Sequence, residues 1–398
     1  MRRATWRVLV PGLLVAATGV GAGDLATSAL TGSRLGVAIL WAVLVGCAIK
    51  LLLNESVARY QLARGETLLF AVVSRAPKLL RVLLLGYFVA WSFLVGAALA
   101  SACGVVAHAI LPVGDAARDK VMYGVAASLL GWLLAARGGL AWFERGMALC
   151  TGVMVASVLY GAIALRPDWS EVIAGLTIPR IPDADGEGRS WTLALIGGIG
   201  GTVTVLCYGY WIEERGRRSL DDLRTCRIDL AAAYGVTALF GMGMVVIGSR
   251  LSLEGGGSTL MVKLADALEP ALGSFGRGLF LAGAFGAVAS SLLGVWQSVP
   301  YLFADALAAT RGERVAAEVL RASPAYRRYQ AALALVPLAG LLVGFARMQK
   351  AYAVVGSLFL PMLALALLAL GRNGRVRSVL LGVIVLVYGA ELTLTIVS

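Results

Sequence analysis

The chain has 398 residues, of which 59% are hydrophobic and 15% charged, with a mean hydropathy of +0.83. That balance excludes an ordinary soluble domain, whose apolar share is lower and charged share higher, and marks a polytopic membrane protein. The net charge of +12 does not point to nucleic acid, because the cations fall between apolar segments and not on one basic face.

In chain order, stretches of about 20 apolar residues predict eleven membrane spans. They lie near residues 8–32, 35–56, 80–108, 119–136, 143–165, 190–214, 227–250, 276–303, 328–346, 351–371 and 377–397. The first apolar run continues past signal-peptide length, so it is read as a span and not as a cleaved leader. Gly19-Val20-Gly21-Ala22-Gly23-Asp24 interrupts the first span, and Gly197-Gly198-Ile199-Gly200-Gly201-Thr202 interrupts the sixth. Glycine disfavours continuous helix, and backbone that is not bonded to itself is tolerated at membrane depth only where it is buried or lines a cavity. Broken helices in corresponding positions of two halves are the sequence mark of a transporter's substrate site.

Charge sets the orientation. With the N-terminus in the cytoplasm, most of the 35 Lys and Arg residues fall on that side, including Arg59, Arg64, Arg75, Arg217, Arg314 and Arg377. Most of the loop acids, including Asp168, Glu171, Asp183, Asp185 and Glu187, fall on the other. The positive-inside rule therefore predicts a multi-pass protein of a bacterial-type inner (cell) membrane, with the N-terminus inside and the C-terminus outside. Residues 1–165 and 190–371 each hold five spans beginning with a broken helix. An odd number of spans per half inverts one half relative to the other, with residues 377–397 left as an extra helix. The whole is one transmembrane domain, and Arg166 to Arg189 and Ser252 to Ser258 read as outer loops. Cys47, Cys103, Cys150, Cys207 and Cys226 are scattered without CxxC spacing and read as small apolar residues.

Several strings, in this order, resemble the natural-resistance-associated macrophage protein (Nramp) family of divalent metal transporters. They are Pro11 to Ala17 with Asp24-Leu25-Ala26-Thr27, Gly32 to Gly36, Pro167-Asp168-Trp169, Gly200-Gly201-Thr202-Val203, Arg227-Ile228-Asp229, Ser290-Ser291 with Gly294 and Gln297, and Leu360-Pro361. The resemblance covers nearly the whole chain. It implies an all-α fold of 11 transmembrane helices, a LeuT-like 5+5 inverted repeat with helices 1 and 6 unwound. It also implies a divalent cation as substrate, no cofactor and a monomeric transport unit in the lipid bilayer.

The departures from the family pattern bear on chemistry. Where the family has Asp-Pro-Gly-Asn, this chain has Gly21-Ala22-Gly23-Asp24, so one carboxylate remains, displaced by three residues. Where the family has Ala-x-x-Met-Pro-His, this chain has Gly201 to Leu206, so the thioether and the first histidine are gone, and Trp211 stands for the second histidine. The acidic proton-pathway positions fall in Ala90-Trp91-Ser92-Phe93. A site made of Asp24, Thr204 and unwound carbonyls is an oxygen site, which favours hard ions such as Mg²⁺, Ca²⁺ or Mn²⁺ over those that prefer sulfur. Few titratable groups on the path imply weak or absent proton coupling.

The candidate substrate residues are Asp24, Gly21, Gly23, Gly201, Thr204, Tyr208 and Gln297, with Asp24 and Thr204 as metal ligands. An intramembrane carboxylate is expensive, although Asp24 is also a good cap for a second half-helix. Thr202 and Thr204 could instead bond their own helix, and Gln297 and Gln349 could bridge helices. Tyr208 and Trp211 share a helix face and could line a pathway or pack. Lys50 is placed to pair with Asn54 and Glu55, and Glu213 and Glu214 with the arginines that follow. His108 has no acidic neighbour in sequence and is read as a poor metal site.

No nucleotide loop, HExxH motif or nucleophile elbow is present, and Asp24 has no second acid, so an enzyme is not expected. A transporter of a cationic or zwitterionic organic solute on the same broken-helix fold is the alternative.

Overall fold

Gly23–Thr27 forms one π-helical turn that carries Asp24 and leads into α1 (Ser28–Leu35). The computed structural model describes residue 21 and residues 23–137, 141–251, 257–371 and 374–397; the predicted start of the first span and most of the second outer loop lie outside these. α2 (Leu40–Arg64) ends at Gly65, and α3 (Leu68–Arg75) begins at Thr67, whose hydroxyl accepts the Phe70 N–H at 3.1 Å. Then come α4 (Lys78–Ile110), α5 (Ala116–Arg137), α6 (Ala141–Ala164) and α7 (Trp169–Thr177). The second broken segment comprises α8 (Gly188–Gly198), a 3₁₀ turn (Val203–Leu206) and α9 (Cys207–Glu214). α10 (Leu223–Gly248), α11 (Leu260–Thr310), α12 (Ala317–Ala322), α13 (Pro324–Leu335), α14 (Phe345–Ser357), α15 (Phe359–Leu370) and α16 (Arg375–Val397) complete the chain.

Helix makes up 85% of the structure, and no strand occurs among the described residues. Among the described residues, six helical stretches are long and apolar enough to cross a membrane, or seven if the pair bent by 118° around residue 165 is one span. The remaining predicted spans also fall on helices, but Arg118-Asp119-Lys120 near its start dilute the hydropathy of α5, and α13 has only 12 residues before a 3₁₀ turn (Val336–Leu342) interrupts it. The predicted outer loop at residues 166–189 is not wholly loop. Asp168 accepts the Ser170 N–H at 2.8 Å and starts α7.

Helix pairings correspond between the two halves: α6 packs on α11 as α14 packs on α4, and α1 packs on α10 as α9 packs on α2. The α1–α10 crossing is close because glycine stands on both sides. A Cβ on Gly32 would collide with the Val245 carbonyl, and one on Gly248 with the Ala29 carbonyl. Outward-facing Leu79, Val82, Leu83, Leu130, Val379 and Leu386 form an apolar surface suited to lipid.

Three polar pairings differ from expectation. Glu55 bonds Arg59, Arg227 and Arg377, not Lys50. Arg217 reaches Asp229 of α10 at 2.6 Å, a partner that its sequence neighbours did not suggest. His108 does have an acidic partner, the Asp119 carboxylate at 2.8 Å, because the turn between α4 and α5 folds them together. All five cysteines are free.

Candidate substrate site

The two breaks meet at Asp24. Its side chain is buried, and its two oxygens hold one break each: Oδ1 accepts the Gly200 N–H at 2.7 Å, and Oδ2 accepts the Gly21 N–H at 3.1 Å. α8 ends at Gly198 and helical geometry resumes at Val203. Between them Gly200 and Gly201 have φ of +69° and +81°, a conformation that glycine adopts without penalty. A Cβ on Gly23 would lie 2.8 Å from the Gly198 carbonyl oxygen, so the breaks approach backbone to backbone.

A lysine occupies this junction. Lys50 is fully buried on α2, and its Nζ donates to the Gly197 carbonyl at 2.8 Å and to the Ile199 carbonyl. These acceptors are available because the break removes their helical partners. A buried charge needs such compensation, and the expected pairing with Glu55 on the same helix would have left the carbonyls unsatisfied.

Beside the breaks, Trp91 of α4 is fully buried and donates its indole N–H to the Thr202 hydroxyl at 2.9 Å. Its ring lies 6.2 Å from Phe88 and 6.5 Å from Tyr352. Ser92 donates to the Phe88 carbonyl at 2.7 Å and accepts from Tyr329 at 2.8 Å. The stretch Ala90-Trp91-Ser92-Phe93 therefore presents an aromatic wall and satisfied hydroxyls, with no proton carrier.

A cleft with about 450 Å³ of empty space, its open mouth included, borders the second break. Thr204, Tyr208 and Trp211 line it together with Asn54, Tyr234 and Ser291. The Asn54 amide donates to the Tyr234 hydroxyl at 2.9 Å, while Asn54 Oδ1 and Ser291 Oγ are buried without a partner.

Of the sequence candidates, the structure gathers Asp24, Gly21, Gly23 and Gly201 at the breaks and Thr204 and Tyr208 on the cleft. It does not bring Gln297 there. That side chain is exposed and only its carbonyl is used, by the Tyr326 hydroxyl at 3.0 Å. The cleft-facing positions of α11 are Ser291, Gly294, Val295 and Ser298, one helical face that excludes residue 297. Gln349 bonds the Ala98 carbonyl of α4 at 2.9 Å. Sequence reasoning missed Asn54, Tyr234 and Ser291 as cleft residues, and found Lys50 with the wrong partner. Among the described residues no three His, Cys, Asp or Glu side chains cluster as a metal group, so a cation here would rely on Asp24 with neutral oxygens.

On the opposite side of the second break, a polar latch joins α1, α8 and α14. Glu187 lies 2.9 Å from Lys350 and 3.8 Å from Arg34, and both cations lie over the Trp191 ring at 5.1 and 5.9 Å. Hydrogen bonds from Lys350 and then Trp191 hold the Glu187 carboxyl below the usual carboxylate range. A depressed folded value means that the latch's contribution is present above the ordinary glutamate range and fades as pH falls through the depressed one. Its exposure keeps the effect small. Glu187→Gln at neutral pH is expected to raise thiol labelling of a Thr31→Cys reporter by up to about fivefold.

A sequence profile described as "Natural resistance-associated macrophage protein-like" matches residues 12–397. Two curated relatives carry the name divalent metal cation transporter MntH. One, from Verminephrobacter eiseniae, is 25% identical over 68% of this chain and 62% of its own length. The other, from Chromohalobacter salexigens, is 25% identical over 74% of this chain and 70% of its own length. The chain thus matches roughly two thirds of these relatives. Among solved structures, the Eremococcus coleocola manganese transporter in complex with an aromatic bis-isothiourea substituted compound superposes with a TM-score of 0.70. The match is 17% identical and covers 97% of this chain and 86% of that one. MhsT in complex with L-phenylalanine superposes with a TM-score of 0.58 at 16% identity, over 97% of each chain. At those identities the superpositions establish the fold.

Proposed function

Because the chain belongs to the Nramp-like family of membrane proteins, we propose that it moves a divalent cation of the Mn, Mg or Fe type across the cell membrane by alternating access. The observation that carries this is the position of Asp24, a buried carboxylate that bridges both helix breaks. The relatives named as divalent metal cation transporters supply the substrate class. An oxygen set of one carboxylate, the Thr204 hydroxyl and freed carbonyls suits a hard ion that keeps part of its water shell.

The remaining parts of the reading follow from topology. Eleven helices cross the bilayer as inverted repeats at residues 1–165 and 190–371 with an extra helix at 377–397. The first and sixth are unwound, the N-terminus is cytoplasmic and the C-terminus outside, and the unit is a monomer. On this orientation the cleft beside α9 faces the cytoplasm and the Glu187 latch closes the outer side. The apolar face turned to lipid fits a membrane transporter.

Proton coupling is weak or absent, since Trp91 fills the place where carboxylates would carry protons. In proteoliposomes carrying an internal pH dye, Mn²⁺ or Mg²⁺ uptake is expected with no matching acidification of the lumen. Acidification that scales with cation flux would overturn the uncoupled reading, and no flux of any divalent ion would overturn the transport reading itself.

A further inference from the structure

The Asp24 carboxylate and the carbonyls of Gly197 and Ile199 are the oxygens a cation would use, and an ammonium already lies among them. Lys50 Nζ donates to both carbonyls, and the Lys50 and Asp24 charges act on each other across the Gly200 backbone. An ammonium and a divalent ion compete for the same acceptors, and in a buried site their mutual repulsion is only weakly screened. Both cannot hold this seat together.

Two observations point to a second place for the ammonium. The stem of Lys50 passes Gly200, which lines the cleft; a Cβ on Gly200 would lie 3.6 Å from Lys50 Cδ. The Lys50 side chain thus packs against a residue that also borders the cleft. One helical turn further along α2, Asn54 Oδ1 is a buried acceptor without a partner on a cleft-lining residue, and Ser291 Oγ is another. An ammonium needs such acceptors when it leaves the carbonyls.

We infer that Lys50 is a tethered surrogate for the substrate: its ammonium holds the seat between the two breaks while no ion is bound, and moves to Asn54 Oδ1 when a divalent ion loads. The inference rests on Asp24 as the substrate ligand. It makes Lys50 a specificity-determining residue. A monovalent ion offers the carboxylate no more charge than the ammonium it must displace, whereas a divalent ion offers twice as much. The tether also lowers apparent affinity by the fraction of time the seat is taken.

The test uses the full-length protein in detergent, titrated with Mn²⁺ and Mg²⁺ by calorimetry. Lys50→Gln, which keeps a hydrogen-bond donor without the charge, is expected to bind about tenfold tighter than wild type and to admit monovalent ions. A variant-free readout is amine acetylation of Lys50 by an N-hydroxysuccinimide ester, followed by peptide mass spectrometry. Saturating Mn²⁺ is expected to raise modification of Lys50 severalfold while leaving Lys78 unchanged. Asp24-dependent binding in wild type with no tightening in Lys50→Gln, or with Lys50 modification unchanged by Mn²⁺, would overturn the surrogate role and leave the transport reading standing. If Lys50→Gln does not fold, the acetylation result decides alone. Failure of both wild type and folded Lys50→Gln to bind any divalent ion would overturn the transport reading and the surrogate role with it.

Discussion

Asp24→Ala is expected to reduce divalent-cation uptake into proteoliposomes by roughly a hundredfold or more, because it removes the site's formal charge and an affinity set by ligand charge falls steeply without it. The same change removes the acceptor that ties Gly21 to Gly200, and it leaves Lys50 buried without its counter-charge. A buried ammonium left without a nearby opposite charge is destabilising. Stability should therefore fall along with transport, and a double-mutant cycle separates the two effects. Asp24→Ala combined with Lys50→Gln, which keeps a donor for the Gly197 and Ile199 carbonyls without the charge, should recover much of the lost thermal stability and none of the transport. Recovery of uptake in the double variant would show that Asp24 serves structure alone.

The second large effect is expected at the α1–α10 crossing. Gly32→Leu would drive a side chain into the Val245 backbone, which has no rotamer by which to yield. The helices must separate, at a cost of about 3 kcal/mol or more given typical overpacking penalties. α1 also carries the chain away from Asp24, so displacement there disturbs the junction of the breaks. Gly32→Leu should yield little monodisperse protein and a melting temperature well below that of the parent. Gly382→Leu, on α16 where a Cβ would meet open space, is the matched control and should be near neutral.

The breaks and their lone carboxylate were legible in the sequence because glycine runs interrupt apolar segments, and because an acid at membrane depth has few uses. What joins them was not. Lys50 bonds a carbonyl 147 positions away, and the local rule that pairs residues four apart on a helix pointed it to Asn54 and Glu55 instead. Glu55 faces the arginines of α10 and α16, contacts set by tertiary packing. Gln297 was misplaced by a single helical step: its neighbour Ser298 lines the cleft, and polarity without phase could not distinguish them. His108 found Asp119 across a turn whose geometry composition does not encode. The α7 helix was hidden inside a proline-containing stretch, although Asp168 followed by Ser170 is a capping signal.

Trp91 is the residue at which the sequence reading and the proposed mechanism meet most directly. Its indole donates to the Thr202 hydroxyl and packs on Phe88 and Tyr352 beside the breaks. On the function proposed above, the Asp24 carboxylate is the group that meets the substrate. The measurement that tests this most directly is anomalous diffraction from crystals grown with Mn²⁺. A single strong peak within about 2.5 Å of an Asp24 carboxylate oxygen and of a break carbonyl or Thr204 is predicted. Mn²⁺ bound elsewhere in the membrane domain, with Asp24 still on Gly21 and Gly200, would contradict the central assignment.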